Sequence, residues 1–258
     1  MRLVIIIIAA MILTTLLAVA DLAPPTASPD SAQIRIDTSI TPTPSSRFAL
    51  YVDRLEINDG HLHDTLNVMF AANGNSLAGF DLKLAASSDL IEILDIQPGE
   101  IYDSCQWEYF FAGPVRNLEG KSDYPPVLWQ AVALAEAVPD QERPECYGFD
   151  RPASLLRIIV AGATREILED TTIPLFFFWE DCTDNTISGK SGDTIFVSAS
   201  VYDYFGDELP DPRNLFPTRR GSPQQFISPE QSGRILREVD LHNGGITFRF
   251  VFDTTAAE

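Results

Sequence analysis

The stretch Leu77 to Gly99, LAGFDLKLAASSDLIEILDIQPG, constrains the fold more than any other part of the chain. Phe80, Leu82 and Leu84 share one parity while Asp81 and Lys83 take the other, the period of two that marks a half-buried strand. After a small-polar turn, a second run starts with Ile91 and Ile93 on one parity and continues with Leu94 and Ile96 on the other. A β-bulge or burial on both faces accounts for that slip. Pro98-Gly99 ends the run, so the stretch reads as two strands and a stop, with no helical period in it.

Similar runs recur along the chain. Phe48, Leu50 and Val52 alternate with other residues, as do Leu66, Val68 and Phe70, and Asn73-Gly74-Asn75 is a turn signal. Further strands are expected at Trp107 to Phe111, Val127 to Ala135, Leu155 to Ala161, Pro174 to Trp179, Thr194 to Val201 and Ile246 to Phe252. The spacing predicts an all-β fold, an antiparallel two-sheet sandwich of the jelly-roll kind with about nine strands. One short helix is expected near 229–239, where Glu230, Ile235 and Leu236 suit two or three turns. The Pro-rich, Arg-bearing segment before it, Gly206 to Gln231, reads as a long surface loop.

The start of the chain has a different character. Arg2, an apolar run from Leu3 to Leu17 and Ala18-Val19-Ala20 have the order of a cleaved export signal over residues 1–20. The rival reading is an uncleaved anchor helix, for which the apolar run is somewhat short; with the signal cleaved, no span is expected in the mature chain. Residues 21–46 are rich in Pro, Ala, Ser and Thr and read as a linker; the sandwich domain is expected over 47–253. The address is then secreted, periplasmic or cell-surface. Such compartments are oxidising, so Cys105, Cys146 and Cys182 predict one disulfide and one remaining thiol, with the pairing open.

The chain carries 37 acidic and 18 basic residues, a net charge of −19, which argues against a nucleic-acid partner. If strand directions alternate from Ile91 to Trp179, all three cysteines fall at one end, together with Glu100, Asp103, Glu145, Asp150, Asp181 and Asp184.

GFDLKL, the small-polar turn and DLIEILDIQPG, followed by many short strands, resemble the cohesin-type jelly-roll modules of secreted bacterial proteins. Gly79, Phe80, Leu90, Glu92, Ile96, Pro98 and Gly99 stand at the matching places. Cohesins also resemble sandwich carbohydrate-binding modules in fold. The resemblance implies a non-catalytic interaction module for a dockerin-like protein, another surface protein or a glycan. The long Cys105 to Cys146 interval and FFFWEDCTDN depart from the pattern, so no binding residue is carried over.

Asp181, Asp184, Asn185 and Asp193 present oxygen ligands at loop spacing and form a candidate calcium site, although Asx turns account for the same residues without a metal. No other cofactor is implied. Trp107 and Tyr109, with Phe111 on the same parity, are a candidate ligand platform with Tyr147 as a further member, against the alternative that they fill the core. His61 and His63 point the same way but lack a third ligand. There is no Gly-x-Ser-x-Gly, His-Glu-x-x-His or phosphate-binding Gly-rich loop, and the expected function is non-enzymatic. A jelly-roll glycoside hydrolase, the alternative, needs two carboxylates opposed across a cleft. A purely structural surface component is the third possibility.

Overall fold

The computed structural model describes residues 33–36, 46–57, 62–72, 74–115, 124–137, 144–162, 169–180, 184–190, 192, 194–209 and 234–249. All of them lie in one compact unit, 32–258. They form β1 (Gln33–Ile36), β2 (Phe48–Val52), β3 (Arg54–Ile57), β4 (His63–Ala72), β5 (Leu77–Ala86), β6 (Ile91–Pro98), α1 (Glu100–Cys105), β7 (Tyr109–Pro114), β8 (Val127–Leu134), β9 (Ala153–Gly162), β10 (Thr171–Phe177), β11 (Thr186–Gly189), β12 (Thr194–Tyr202), β13 (Arg234–His242) and β14 (Gly244–Phe248).

The hydrogen-bonded ladder runs β1-β3-β14-β10-β5-β11-β12-β13-β2-β4-β9-β6, with β8 on β5 and β7 on β8. It folds over at the β11-β12 pair into two layers. Leu66, Val68, Ile158 and Val160 of β4 and β9 share one core with Leu82, Leu84, Ala131 and Ala133 of β5 and β8. The chain is an all-β sandwich. Among the described residues no helix is long and apolar enough to cross a membrane.

The expected strand count of about nine is too low: the described residues hold 14 strands. Two long strands change layers midway, at Asp53 between β2 and β3 and at Asn243 between β13 and β14, as strands do at sandwich corners. There Gly244 passes so close to β2 that a Cβ would lie 2.2 Å from the Val52 carbonyl oxygen, and Gly245 has φ 141°. The expected purely antiparallel pairing is also incomplete, because β13 runs parallel to β12 and β2, and β14 runs parallel to β3. The helix expected near 229–239 is a strand over Arg234–His242, held by β12 and β2 on its two sides. Tertiary pairing overrides the local helical propensity there; 229–233 lie outside the described residues. Ile34 to Ile36, inside the stretch read as linker, belongs to β1 and pairs with β3.

The opening pair of strands behaves as its pattern requires. Phe80, Leu82 and Leu84 are buried, and so are Ile91, Ile93 and Ile96. The parity slip is a register shift between Ile93 and Asp95 that turns Leu94 out to solvent. Strand directions alternate from β6 to β10 as expected, but the neighbours do not form a meander: β6 pairs with β9 in one layer and β7 with β8 in the other.

Candidate functional site

The Pro98-Gly99 stop leads into a braced end of the sandwich. Gly99 lies flush against β9, where an added Cβ would meet the Ser154 carbonyl oxygen at 2.3 Å, and its N–H donates to Leu155 at 2.8 Å. The chain turns directly into α1, which ends at Gln106 in the left-handed region, φ 57°. Cys105 on α1 is joined to Cys146, which settles the pairing left open by the sequence; Cys182 lies outside the described residues. Closing a loop of 41 residues stabilises the fold by about 4 kcal/mol in the chain-entropy model. Trp107 follows at 3% exposure, and its indole N–H donates to the Cys146 carbonyl.

The acids gathered at this end are braces. Glu100 pairs with Arg151, whose hydrogen bond holds the Glu100 carboxyl below its ordinary range, and Asp103 pairs with Arg157 at 3.2 Å. Glu145 accepts from the Gln106 side chain at 3.0 Å. Asp184 was expected here, but lies midway along the sheet. The reason is that β10 leaves β5 opposite Leu84, makes an excursion, and rejoins as β11 opposite Asp81.

That excursion is closed by a plug of polar side chains on the outer face of the sheet. Asn185, 1% exposed and left-handed at φ 56°, takes the place of a missing ladder rung. Its carbonyl accepts the Lys83 backbone N–H at 2.9 Å, and its amide donates to the Phe178 carbonyl at 2.7 Å. The Lys83 ammonium sits 2.9 Å from Asp184, itself 3% exposed, and 3.0 Å from Glu180. Asp184 also accepts the Glu180 backbone N–H, and Tyr124 donates to the second Glu180 oxygen at 2.9 Å. Burial opposes the charge on Lys83, but hydrogen bonds and charges from Asp184 and Glu180 outweigh it and raise its pKa above the ordinary 10.5.

The oxygens of Asp184 and Asn185 are therefore engaged by Lys83 and by the backbone. Asp181 and Asp193, the other two candidate calcium ligands, lie outside the described residues, as does His61; His63 is exposed at the start of β4. Among the described residues no group of three or more His, Cys, Asp or Glu is placed to hold a metal.

On the opposite edge, the aromatic row divides. Trp107 precedes β7 and is core, whereas Tyr109 and Phe111 are 43% and 52% exposed on the outer face of β7. They stand in register with β8, Tyr109 opposite Leu134 (39% exposed) and Phe111 opposite half-buried Val132. Four apolar side chains on two paired strands thus form a continuous strip. Gln130 and Asp81, hydrogen-bonded at 2.8 Å, separate this strip from the Lys83 plug. Tyr147, the remaining ligand candidate, lies at the disulfide end beneath the Lys190 ammonium, 4.5 Å from its ring centre. Lys83 and Leu134 were not among the candidates legible in the sequence. Lys83 shares its strand face with Asp81, and only the return of the chain at Glu180 and Asp184 marks it out; Leu134 depends on the β7-β8 register.

A groove of about 470 Å³ opens at the far end between the layers. Asp89 and Glu92 both belong to its β6 side, while Pro114, Val115, Pro126, Val127 and Trp129 line it from the β7-β8 side.

No family model matches the sequence, and no curated protein does. The fold is similar to solved cohesin modules. A type I cohesin in a cohesin–dockerin complex from Clostridium thermocellum is 10% identical, covers 78% of this chain and 99% of its own, and has a TM-score of 0.42. The type III cohesin of the cell-surface anchoring scaffoldin of Ruminococcus flavefaciens is 5% identical over 80% of this chain and 89% of its own, at 0.44. A non-cellulosomal cohesin from Archaeoglobus fulgidus is 14% identical over 82% and 96%, at 0.38.

Proposed function

We propose that this domain is a non-catalytic interaction module which receives a protein partner on the outer face of the β7-β8 pair. The observation that carries the proposal is the strip of Tyr109, Phe111, Val132 and Leu134. Contiguous exposed apolar side chains on a regular, hydrogen-bonded strand pair are what a partner desolvates, and aromatics are the residue types that most often dominate such contacts. The partner we propose is a dockerin-like protein, the class with which some of the similar modules were crystallised. The Cys105–Cys146 bond and the export-signal pattern of residues 1–20 support a secreted or surface-exposed setting.

A hydrolase reading has less support. The two carboxylates at the far-end groove stand on one side, against an apolar facing wall, whereas glycoside hydrolysis needs a pair flanking the bond. The test is equilibrium binding of the purified domain to a panel of recombinant dockerins. Binding in the micromolar range or tighter by at least one of them, weakened at least tenfold by Phe111→Ser, is expected. Absence of binding across the panel, or equal binding by Phe111→Ser, would overturn the proposal.

A further inference from the structure

We propose that the side chains of Lys83 and Asp184 are the two halves of a self-forming amide cross-link, with Glu180 as the proton carrier. The Lys83 Nζ lies 2.9 Å from Oδ1 and 3.1 Å from Oδ2 of Asp184, so the nitrogen faces both oxygens of one carboxyl group. The two side chains are 8% and 3% exposed. They stand 101 residues apart in the chain, and a bond between them would tie the middle of β5 to the segment that re-enters the sheet as β11.

Two effects ordinarily keep an amine and a carboxylic acid from condensing in water: the hydration of both ions, and the entropy of bringing the two groups together. Burial removes much of the first, because desolvated ions are costly and the amide that replaces them is neutral. The fold removes the second, because groups held in contact react as if at a very high effective concentration. Condensation here exchanges a buried ion pair for a buried amide and releases one water.

The neighbouring groups are placed for that reaction. The Glu180 backbone N–H donates to Asp184 Oδ2 at 2.7 Å, where it stabilises the negative oxygen that develops as nitrogen adds to Cγ. The Glu180 carboxylate meets Lys83 Nζ with Oε2 at 3.0 Å and accepts from the Tyr124 hydroxyl on Oε1 at 2.9 Å. Its side chain is 32% exposed, so of the two acids it is the one suited to exchange a proton, whereas Asp184 is the one held fast. Burial opposes the charge on Lys83, but Asp184 and Glu180 outweigh it, so the ammonium is the resting form and linkage is slow compared with folding. Of the three ammonium protons, one passes to Glu180 Oε2, and the freed nitrogen lone pair adds to Asp184 Cγ. The nitrogen gives up a second proton as the Cγ–Oδ1 bond breaks. Oδ1 leaves as water with both protons, one of them returned by Glu180, and the two charges cancel in the neutral amide.

Intact-mass measurement and peptide mapping of the reduced full chain, followed over days in native buffer, test the assignment. The expected result is a growing population lighter by one water, in which the peptide holding Lys83 is joined to the peptide holding Asp184. Linked chains should also lose the alkaline decline in stability that the ion pair confers, because an amide nitrogen does not titrate. Asp184→Ala and Lys83→Arg should abolish the mass change. Glu180→Gln retains both reacting groups and should slow linkage roughly a hundredfold, with the far-UV circular dichroism of the wild type. Phe111→Ser should link at the wild-type rate, which keeps this result separate from that of the protein-binding strip. A folded wild-type chain of unlinked mass throughout, a water lost within a single peptide as a succinimide, or linkage of Glu180→Gln at the wild-type rate would overturn the proposal.

Discussion

Around Lys83, each carboxylate oxygen of Asp184 and Glu180 has a hydrogen-bonding or ionic partner, whereas on the same face of the same sheet Tyr109 and Phe111 stand in solvent with only strand neighbours beside them. The two regions meet at one diagonal hydrogen bond, from Gln130, opposite Lys83, to Asp81, opposite Val132. One closes an interruption in the ladder and satisfies its own charges; the other is regular backbone that exposes apolar surface. Of the acidic loop that looks like a ligand site in sequence, the two described members, Asp184 and Asn185, are bonded to Lys83 and to the backbone. Its aromatic neighbour is the apolar surface on which the proposed function rests.

Removing a member of the closed region should have the largest effect. Lys83→Met leaves Asp184 buried without its cation, and the expected loss is about 3 to 5 kcal/mol in urea unfolding. If the loss were below about 1 kcal/mol, the cluster would be a surface ion pair and the contrast between the regions would disappear. The pH dependence runs in a definite direction: the raised pKa means that the stability from Lys83 is fully present below 10.5 and is lost as pH rises through the higher folded value.

Asn185→Ala tests the plug without touching a charge. It removes two buried hydrogen bonds at a left-handed position, and about 2 to 3 kcal/mol of stability should go with them. Asn185→Gly relieves the backbone conformation but not the missing amide, so it should recover only part of that loss.

His242 separates burial from pairing. Its ring stacks on Tyr202 at 4.2 Å, its Nε2 has no hydrogen-bond partner among the described residues, and burial chiefly lowers its pKa from 6.5 to about 4, with Asp240 opposing and Arg54 assisting. Stability from the neutral ring is present above pH 6.5 and declines as pH falls toward 4. Unfolding midpoints of His242→Phe should therefore fall less steeply than wild type across that window; parallel curves would mean that the ring does not sense its burial.

The smallest effect on stability is expected in the open region. Phe111→Ser should change the unfolding free energy by no more than about 0.5 kcal/mol, because no core contact is lost. Partner affinity should fall at the same time. A large loss of stability would show that the strip is part of the packing and would dissolve the comparison from the other side.

Much of the architecture was legible because period-two alternation is imposed by the strand itself. Phe80, Leu82 and Leu84 could face one way only, and the slip at Leu94 announced its own bulge. Helical propensity near Ile235 misled because it is worth a few tenths of a kcal/mol per residue, less than pairing on both sides of β13. The site was less legible. Trp107 and Tyr109 share a parity in sequence, yet the strand begins only at Tyr109, so one is core and the other is surface.

By itself, the sequence determined the all-β character, the burial of one parity in each strand, and an acidic chain whose cysteines permit a bond. These follow from local period and composition, which act before any distant contact forms. Only the tertiary structure decided that Cys105 joins Cys146, that Asp184 pairs with Lys83, that Lys190 comes to rest on Tyr147, and that Leu134 completes the strip begun by Tyr109 and Phe111. Each of these joins residues far apart in the chain, and their meeting depends on strand order and register, which no local pattern specifies.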